Sequence, residues 1–230
     1  MRVRTHQHFI SAIGLSLCAA ACAVGQPDEP GAPVEAESLG SAEQAVTVGP
    51  GCVTLRRGVA GNAFDTAFAQ ANGSWAAGTY AGGVWTGGTG GPSSLYYAAF
   101  KFDLGPVPLD ANITSATFQV YAAWNNVAST VRAHAMAVNW SEATATYASV
   151  GGASGYSAPV LGSFNPAWGA NGLRTIDLTA LTKAWVAGTA PNYGIALEED
   201  LGKQHAYYVS ESTTVANRPS LTVCWDGPIN

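Results

Sequence analysis

The sequence predicts an all-β fold, an antiparallel β-sandwich with one short helix. Short segments within residues 97–225 alternate between apolar and polar residues with a period of two, which is typical of strands that bury one face. Turn-forming residues separate these segments, and 27 glycines are spread along the chain without a period, unlike collagen. The length of 230 residues predicts one domain with appendages, at roughly 100–200 residues per domain.

The individual strands follow from the alternating segments. Residues 95–104 give the clearest pattern, because apolar and polar residues alternate at almost every step. Residues 113–124 alternate in the same way and place Phe118 and Trp124 on the buried face. The other strands are predicted at residues 52–58, 61–70, 131–138, 195–198, 206–211 and 220–225.

One short helix is predicted after residue 178. Thr179 is a suitable N-cap, and Leu181 and Trp185 lie four residues apart on one helical face. Gly188 follows as a stop signal.

Residues 1–22 are interpreted as a signal peptide. Arg2 and Arg4 provide a positive start, and residues 9–21 form an apolar run of the length expected for the core of a signal. This run is short for a membrane span, and no later stretch reaches ~18 uninterrupted apolar residues. The protein is therefore expected to be exported.

Residues 23–46 are expected to form a disordered acidic linker before a β-sandwich domain at residues 47–230. The linker consists mainly of Pro, Glu, Ala and Gly, a composition that buries too little apolar surface to offset the entropy of ordering. It carries much of the formal net charge of -5. Since the domain has no basic stripe, nucleic-acid binding has no electrostatic support.

The two cysteines of the domain are predicted to form a disulfide, Cys52–Cys224. Both lie on the more polar face of a terminal strand, and export places them in an oxidising compartment. The chain-entropy model assigns roughly 4–5 kcal/mol to a bond that closes so long a loop. The alternative is two unpaired thiols.

Cys22 has two alternative fates. It follows Ala19-Ala20-Ala21 and precedes the linker, which resembles a bacterial lipoprotein processing site, although Ala19 stands where Leu is usual. Lipidation at Cys22 would anchor the linker to a membrane through several acyl chains. Ordinary cleavage after Ala23 would instead remove the cysteine. We favour lipidation.

Several spaced motifs of the domain carry a family resemblance. They are RRGxxGNAFDTAF at 56–68, FKFDL at 100–104, SAT at 115–117, WSExTxT at 140–146, DLT at 177–179, NYG at 192–194 and RPxL at 218–221. Over residues 53–225 this order resembles the DNRLRE domain, a jelly-roll module of secreted bacterial proteins related to carbohydrate-binding modules. The resemblance implies a jelly-roll fold, a short strand near residues 83–86 and a non-catalytic surface module.

The resemblance also implies a class of ligand. Members of the family accompany polysaccharide-degrading enzymes or stand on surface proteins, and some bind acidic polysaccharides such as alginate. Residues 71–92 are longer and richer in Gly and Trp than the usual second hairpin. This segment therefore departs from the family pattern.

The candidate sugar-binding residues are Trp75, Tyr80 and Trp85, because flanking glycines leave little core to cover these rings. Exposed aromatic rings stack on the faces of sugars. Trp124 and Trp168 are secondary candidates, whereas three tryptophans are expected in the core: Trp140, Trp185 and Trp225. An anionic glycan would need clustered cations, and the available ones are scattered: Arg56, Arg57, Lys101, Arg132 and Lys203.

Catalytic groups are sparse, and the chain is not expected to be an enzyme. Glu142 and Glu211 are a conceivable carboxylate pair for glycoside hydrolysis. Both lie inside structural motifs, where we expect them to bind loop N–H groups or Arg218. His134 is expected on the surface, and neither it nor His205 has a metal-like partner.

No cofactor is predicted, and the question of a structural cation stays open. Calcium requires several oxygen ligands, for which Asp65, Asp103 and Asp177 are candidates without a diagnostic spacing. The acidic run at residues 198–200 is expected to be a solvated hairpin tip.

Two functions from different classes remain open. The first is an exported, surface-anchored module that binds polysaccharide or another component of the cell envelope, at the cell surface or outside the cell. The second is a structural or adhesion module that contacts proteins and has no sugar site. Two or more exposed aromatic rings on a strand face would favour sugar, whereas a large apolar patch would favour protein contact.

Overall fold

The computed structural model describes residues 49–58, 64–70, 83–89, 95–125 and 127–228, with residues 64–70 described by their backbone. All of them belong to one compact unit, Ala45–Asn230. Within these residues the chain forms antiparallel β-strands, one α-helix and short 3-10 turns. The prediction of an all-β antiparallel fold with one short helix is confirmed.

The elements follow one another in a simple order. The strands are β1 (Gly51–Leu55), β2 (Phe64–Gln70), β3 (Val84–Gly87), β4 (Tyr96–Phe102), β5 (Ala111–Asn125), β6 (Val131–Met136), β7 (Tyr156–Phe164), β8 (Gly172–Asp177), β9 (Ile195–Glu198), β10 (Gln204–Tyr207) and β11 (Ser220–Pro228); the helix is α1 (Thr179–Val186). Hydrogen-bonded neighbours run in the order β1-β11-β5-β10-β3-β4-β9-β6-β7, with β2 beside β4 and β8 beside β5. This sheet curls so that its two halves face each other.

The core lies between the two halves. Phe118 of β5 packs against Phe100 and Phe102 of β4, with ring centroids 5.1 and 5.7 Å apart. All three side chains are buried. Strands β4 and β5 are not hydrogen-bonded neighbours, so these aromatic contacts join opposite layers, as in a sandwich.

The helix closes one end of the core. It begins at Thr179 after Leu178, so the prediction of Thr179 as the N-cap is wrong by one position. Asp177 binds this terminus instead, because its Oδ1 accepts hydrogen bonds from the backbone N–H and the hydroxyl of Thr179. Trp185 is buried and lies 6.1 Å from the Phe102 ring. No helix of the described residues is long and apolar enough to span a membrane.

The terminal strands are joined as the sequence predicts. Strand β1 pairs with β11 so that Cys52 lies opposite Cys224. The two cysteines form a disulfide across 172 residues of sequence. The predicted bond is therefore confirmed.

Gly194, at the entry to β9, occupies a position that excludes a side chain. Its φ is 83°, and a Cβ there would lie 2.0 Å from the carbonyl oxygen of Phe100. We expect Gly194→Ala to lower the free energy of unfolding by about 2–4 kcal/mol, because backbone strain and a backbone clash add.

Gly188→Ala is the matched control for this substitution. Gly188 also has a positive φ, 67°, but a Cβ there meets no atom within 4 Å. We expect Gly188→Ala to lower the free energy of unfolding by about 1 kcal/mol, from backbone strain alone. Chemical denaturation measures both variants, and equal losses would show that the contact with Phe100 does not matter.

Candidate functional site

An aromatic surface crosses three neighbouring strands on the outer face of the sheet. Ala206 of β10 lies opposite Trp85 of β3 on one side and Trp124 of β5 on the other. Cross-strand partners share one face, and the two tryptophan rings meet above the small alanine with centroids 5.4 Å apart. Trp124 is 43% exposed, whereas Ala206 is almost completely covered.

A β-bulge explains why Trp124 faces outward. Ala206 pairs with Trp124, but the next residue, Tyr207, pairs with Ala122, so Ala123 is an extra residue in β5. An inserted residue shifts the alternation of the strand by one. Ala122 keeps to the core, and Trp124 moves to the outer face. Its predicted place on the buried face is therefore wrong.

Two tyrosines continue this surface along the same strands. Tyr121 of β5 and Tyr208, just after β10, have ring centroids 5.6 Å apart and are half-buried. Leu173 of β8 lies opposite Tyr121 and is exposed. We call the four rings of Trp85, Trp124, Tyr121 and Tyr208 the aromatic platform.

Uncharged polar side chains follow the aromatic platform along β5 and β8. Below the Tyr121–Leu173 pair, Gln119 lies opposite Thr175. Gln119 also lies opposite Ser220, whose hydroxyl binds the Gln119 side chain at 3.4 Å. Arg56 donates to the same serine at 3.2 Å. The outer face thus offers hydrogen-bonding groups directly beside its rings.

Directly beneath the tryptophans lies a buried ion pair, Glu199–His205. Thr86 and His205 are the sequence neighbours of Trp85 and Ala206, and they point to the opposite, inner side. The Glu199 carboxylate accepts hydrogen bonds from the Thr86 hydroxyl (2.8 Å), the Ser129 hydroxyl (2.5 Å) and His205 Nδ1 (2.8 Å). Glu199 is 1% exposed, so its predicted place at a solvated hairpin tip is wrong.

The hydrogen bonds of His205 define its role. Its Nε2 lies 3.0 Å from the carbonyl oxygen of Val127, which can only accept, so Nε2 carries a proton. Its Nδ1 faces both oxygens of the Glu199 carboxylate. The ring therefore ties the buried carboxylate to the backbone at Val127, while the Thr86 and Ser129 hydroxyls satisfy the rest of the carboxylate.

Glu142 and Glu211, the conceivable catalytic pair, converge on one arginine. Arg57 Nη1 lies 2.6 Å from Glu142 and 2.5 Å from Glu211, and the Ser210 hydroxyl donates to Glu211 at 2.7 Å and lies 3.4 Å from Glu142. The expected partner Arg218 binds backbone carbonyls instead. Burial raises the pKa of the Glu211 carboxyl, and Glu142 acts in the same direction, against Ser210 and Arg57.

A second ion-pair cluster lies on the other half of the sheet. Arg132 binds both Glu198 and Asp200. His134 is buried beside them, with Nε2 3.2 Å from Glu198 and Nδ1 2.8 Å from the carbonyl oxygen of Ser157. The prediction of a surface position for His134 is wrong, because this carboxylate and carbonyl make the ring's hydrogen bonds in place of water.

The candidate calcium ligands have other roles where the structure describes them. Asp103 Oδ1 accepts the N–H of Gly105 in a turn. The hydroxyl and the N–H of Thr179 hold the pKa of Asp177 below its usual range. Within the described ranges no three metal-binding side chains cluster. The side chain of Asp65 lies outside them.

The structure describes some of the site residues that the sequence predicts. Trp75, Tyr80 and Cys22 lie outside the described residues. Trp85 is half-buried in the aromatic platform, and Trp168 is 76% exposed in the loop before β8. Of the predicted core tryptophans, Trp140 and Trp185 are buried and a third, Trp225, is half-buried.

An antiparallel β-sandwich with partly exposed aromatic rings across adjacent strands is typical of carbohydrate-binding modules. The model of carbohydrate-binding module family 96 matches residues 72–224, which is more than half of the chain, and the chain belongs to this family. No curated protein matches the chain. The predicted relation to carbohydrate-binding modules is confirmed, whereas the narrower DNRLRE assignment stays a resemblance.

Proposed function

We propose that the protein is a non-catalytic polysaccharide-binding module whose ligand lies on the aromatic platform. The observation that carries the proposal is the Trp85–Trp124 pair, two adjacent rings on an outer strand face of a chain in a carbohydrate-binding family. The sequence candidates Trp75 and Tyr80 belong to the same proposal as further ring contacts.

Physical chemistry supports a sugar at this surface. The apolar face of a pyranose stacks on an aromatic ring, while its hydroxyls need donors and acceptors at the rim. Trp124 is open enough to accept such a face. Gln119 and Thr175 lie along the strands from the rings and can serve the hydroxyls.

The carboxylates of the domain support binding rather than hydrolysis. A glycosidase needs one carboxylic acid that donates a proton and one free carboxylate beside the scissile bond. Glu142 and Glu211 instead share Arg57 in an ion-pair cluster. Families of carbohydrate-binding modules are typically non-catalytic.

Location is part of the proposal. The Cys52–Cys224 disulfide suggests an oxidising, extracellular setting. Residues 1–22 would direct export, and lipidated Cys22 would hold the domain at the cell surface through the linker. Mass spectrometry of the mature protein tests the anchor: acyl chains on Cys22 support it, and a mature chain that begins after residue 22 contradicts it.

The binding site is tested by substitution of Trp124. We expect Trp124→Ala to weaken polysaccharide binding about tenfold, because the variant loses the apolar contact area of the ring together with the roughly 0.5–1.5 kcal/mol that aromatic stacking adds beyond burial. A glycan array identifies the ligand, and affinity electrophoresis measures the loss. Trp124→Phe, which keeps an aromatic ring, should retain most of the affinity.

Trp168→Ala is the control, since this exposed tryptophan lies in a loop outside the aromatic platform. The Trp168→Ala variant should bind the polysaccharide with the affinity of the wild type. Loss of binding in Trp168→Ala with normal binding in Trp124→Ala would move the site to the loop. Lack of retention on every glycan, by a folded and disulfide-bonded protein, would favour the adhesion hypothesis and protein partners.

A further inference from the structure

We infer that the aromatic platform binds a single, non-crystalline polysaccharide chain and not the flat surface of a crystalline polysaccharide. This inference rests on the proposed function, because it specifies the ligand class of the same site. Four features of the outer face carry it: the angle between the tryptophans, their unequal exposure, the second ring pair and the polar side chains beside it.

The first feature is the angle between Trp85 and Trp124. Their ring planes are inclined by 60° in an edge-to-face arrangement. Two rings can stack on one flat surface only when their planes are parallel and level. A single chain has no such requirement, because successive sugar units can turn their faces towards different rings.

The second feature is that the two rings differ in exposure. Trp124 is 43% exposed, whereas Trp85 is half-buried against it. In an edge-to-face pair the edge of one ring covers part of the face of the other. The pair therefore forms a corner, in which a sugar can stack on one ring and touch the other with its rim.

The third feature is the repetition of this geometry. The Tyr121–Tyr208 pair is inclined by 69°, and both tyrosines are half-buried. The platform thus has a second edge-to-face pair, whose β5 member lies three residues before Trp124. Two such pairs suit two segments of one chain, whereas a crystal face would contact only the ring that protrudes furthest.

The fourth feature is the hydrogen-bonding capacity beside the rings. Gln119 and Thr175 face outward from β5 and β8 as cross-strand partners. In a crystalline polysaccharide most hydroxyls already bind neighbouring chains. A single hydrated chain can offer its hydroxyls to these side chains, so the polar pair adds affinity only for the non-crystalline form.

The test compares two physical forms of the same polymer with the full-length protein. Adsorption is measured on microcrystalline cellulose and crystalline chitin and on the amorphous, acid-swollen form of each. Affinity electrophoresis covers soluble polysaccharides, including alginate. We expect retention by at least one soluble or amorphous polymer, and adsorption to either crystalline form at least about tenfold weaker per accessible mass.

Thr175→Val gives a second readout. The substitution preserves the shape of the side chain but removes its hydroxyl, and one hydrogen bond corresponds to about a two- to tenfold loss of affinity for the chain. Thr189→Val, at an exposed threonine after α1, is the matched control and should bind normally. Equal affinities of wild type and Thr175→Val would contradict the role given to the polar pair.

The outcomes separate this inference from the proposed function. Strong adsorption to a crystalline form that disappears in Trp124→Ala would overturn the inference and leave polysaccharide binding intact. Retention by soluble chains that survives in Trp124→Ala would overturn the platform as the site. Failure of the folded protein to bind any polymer in either form would overturn both.

Discussion

Replacement of Glu199 by alanine is expected to destabilise the protein by about 3–5 kcal/mol, the cost of breaking a buried ion pair. The substitution removes the acceptor of the Thr86 and Ser129 hydroxyls and of His205 Nδ1. The two hydroxyls and His205 Nδ1 would then lose their hydrogen-bond partner inside the core. Since domains are stable by only about 5–15 kcal/mol, the alanine variant can fail to fold.

Glu199→Gln keeps this prediction testable. The amide has nearly the same shape, but it offers no negative charge to His205. We expect a loss of at least about 2 kcal/mol, measured by chemical denaturation. Asp200→Asn is the control at the neighbouring acidic position, which is 69% exposed in its side chain, and it should cost about 0–1 kcal/mol. Equal losses of unfolding free energy in Glu199→Gln and Asp200→Asn would contradict the stabilising role given to the Glu199–His205 pair.

The same pair connects stability to the proposed site. His205 lies on the inner side of β10, next in sequence to Ala206. Its partner Glu199 also binds Thr86, which lies on the inner side of β3 next in sequence to Trp85. Loosening of these strands should therefore change the tryptophan environment before the whole domain unfolds. Near-ultraviolet circular dichroism of Glu199→Gln would record a weaker tryptophan signal.

Sequence patterns predicted the fold well for strands that bury one face and expose the other to solvent. Residues 116–122 of β5 and 221–224 of β11 are examples, because buried and more exposed residues alternate there. Strand β7 was missed because it contains Pro159 and Gly162, which weaken a strand signal. It forms nevertheless because β6 provides a partner along its length.

The site was less predictable, because it depends on contacts between distant residues. No local signal in β5 indicates the bulge at Ala123, and without the bulge Trp124 belongs to the core pattern. The acidic run at residues 198–200 looks like a polar tip, yet Glu199 is buried by hydroxyls that lie 70 and 113 residues away in sequence. The choice of Trp85 rested on its glycine-rich setting. The alternation of residues 113–124 also turns Tyr121 outward, but one outward tyrosine does not by itself indicate a binding surface.

Removal of the disulfide is the other change with a large expected effect. We expect Cys52→Ser/Cys224→Ser to lower the free energy of unfolding by about 2–5 kcal/mol, because the bond restricts the unfolded chain over a long loop. The effect should have a local part as well. Strand β1 is hydrogen-bonded to β11 alone among the described strands, so the bond fastens an edge strand.

Strand β1 also positions Arg57, which follows it and bridges Glu142 and Glu211. Hydrogen exchange of the double serine variant should therefore accelerate in β1 and at residues 210–211 more than in β4 or β9. The control is Thr54→Val/Thr222→Val, at the next cross-strand pair on the same face, where the two hydroxyls form a hydrogen bond of 2.9 Å with each other. This control should cost at most about 1 kcal/mol. If hydrogen exchange in the double serine variant rises equally in all strands, the disulfide acts only through the unfolded state. Strand β1 is then held in place by the arginines that follow it and by its backbone hydrogen bonds to β11.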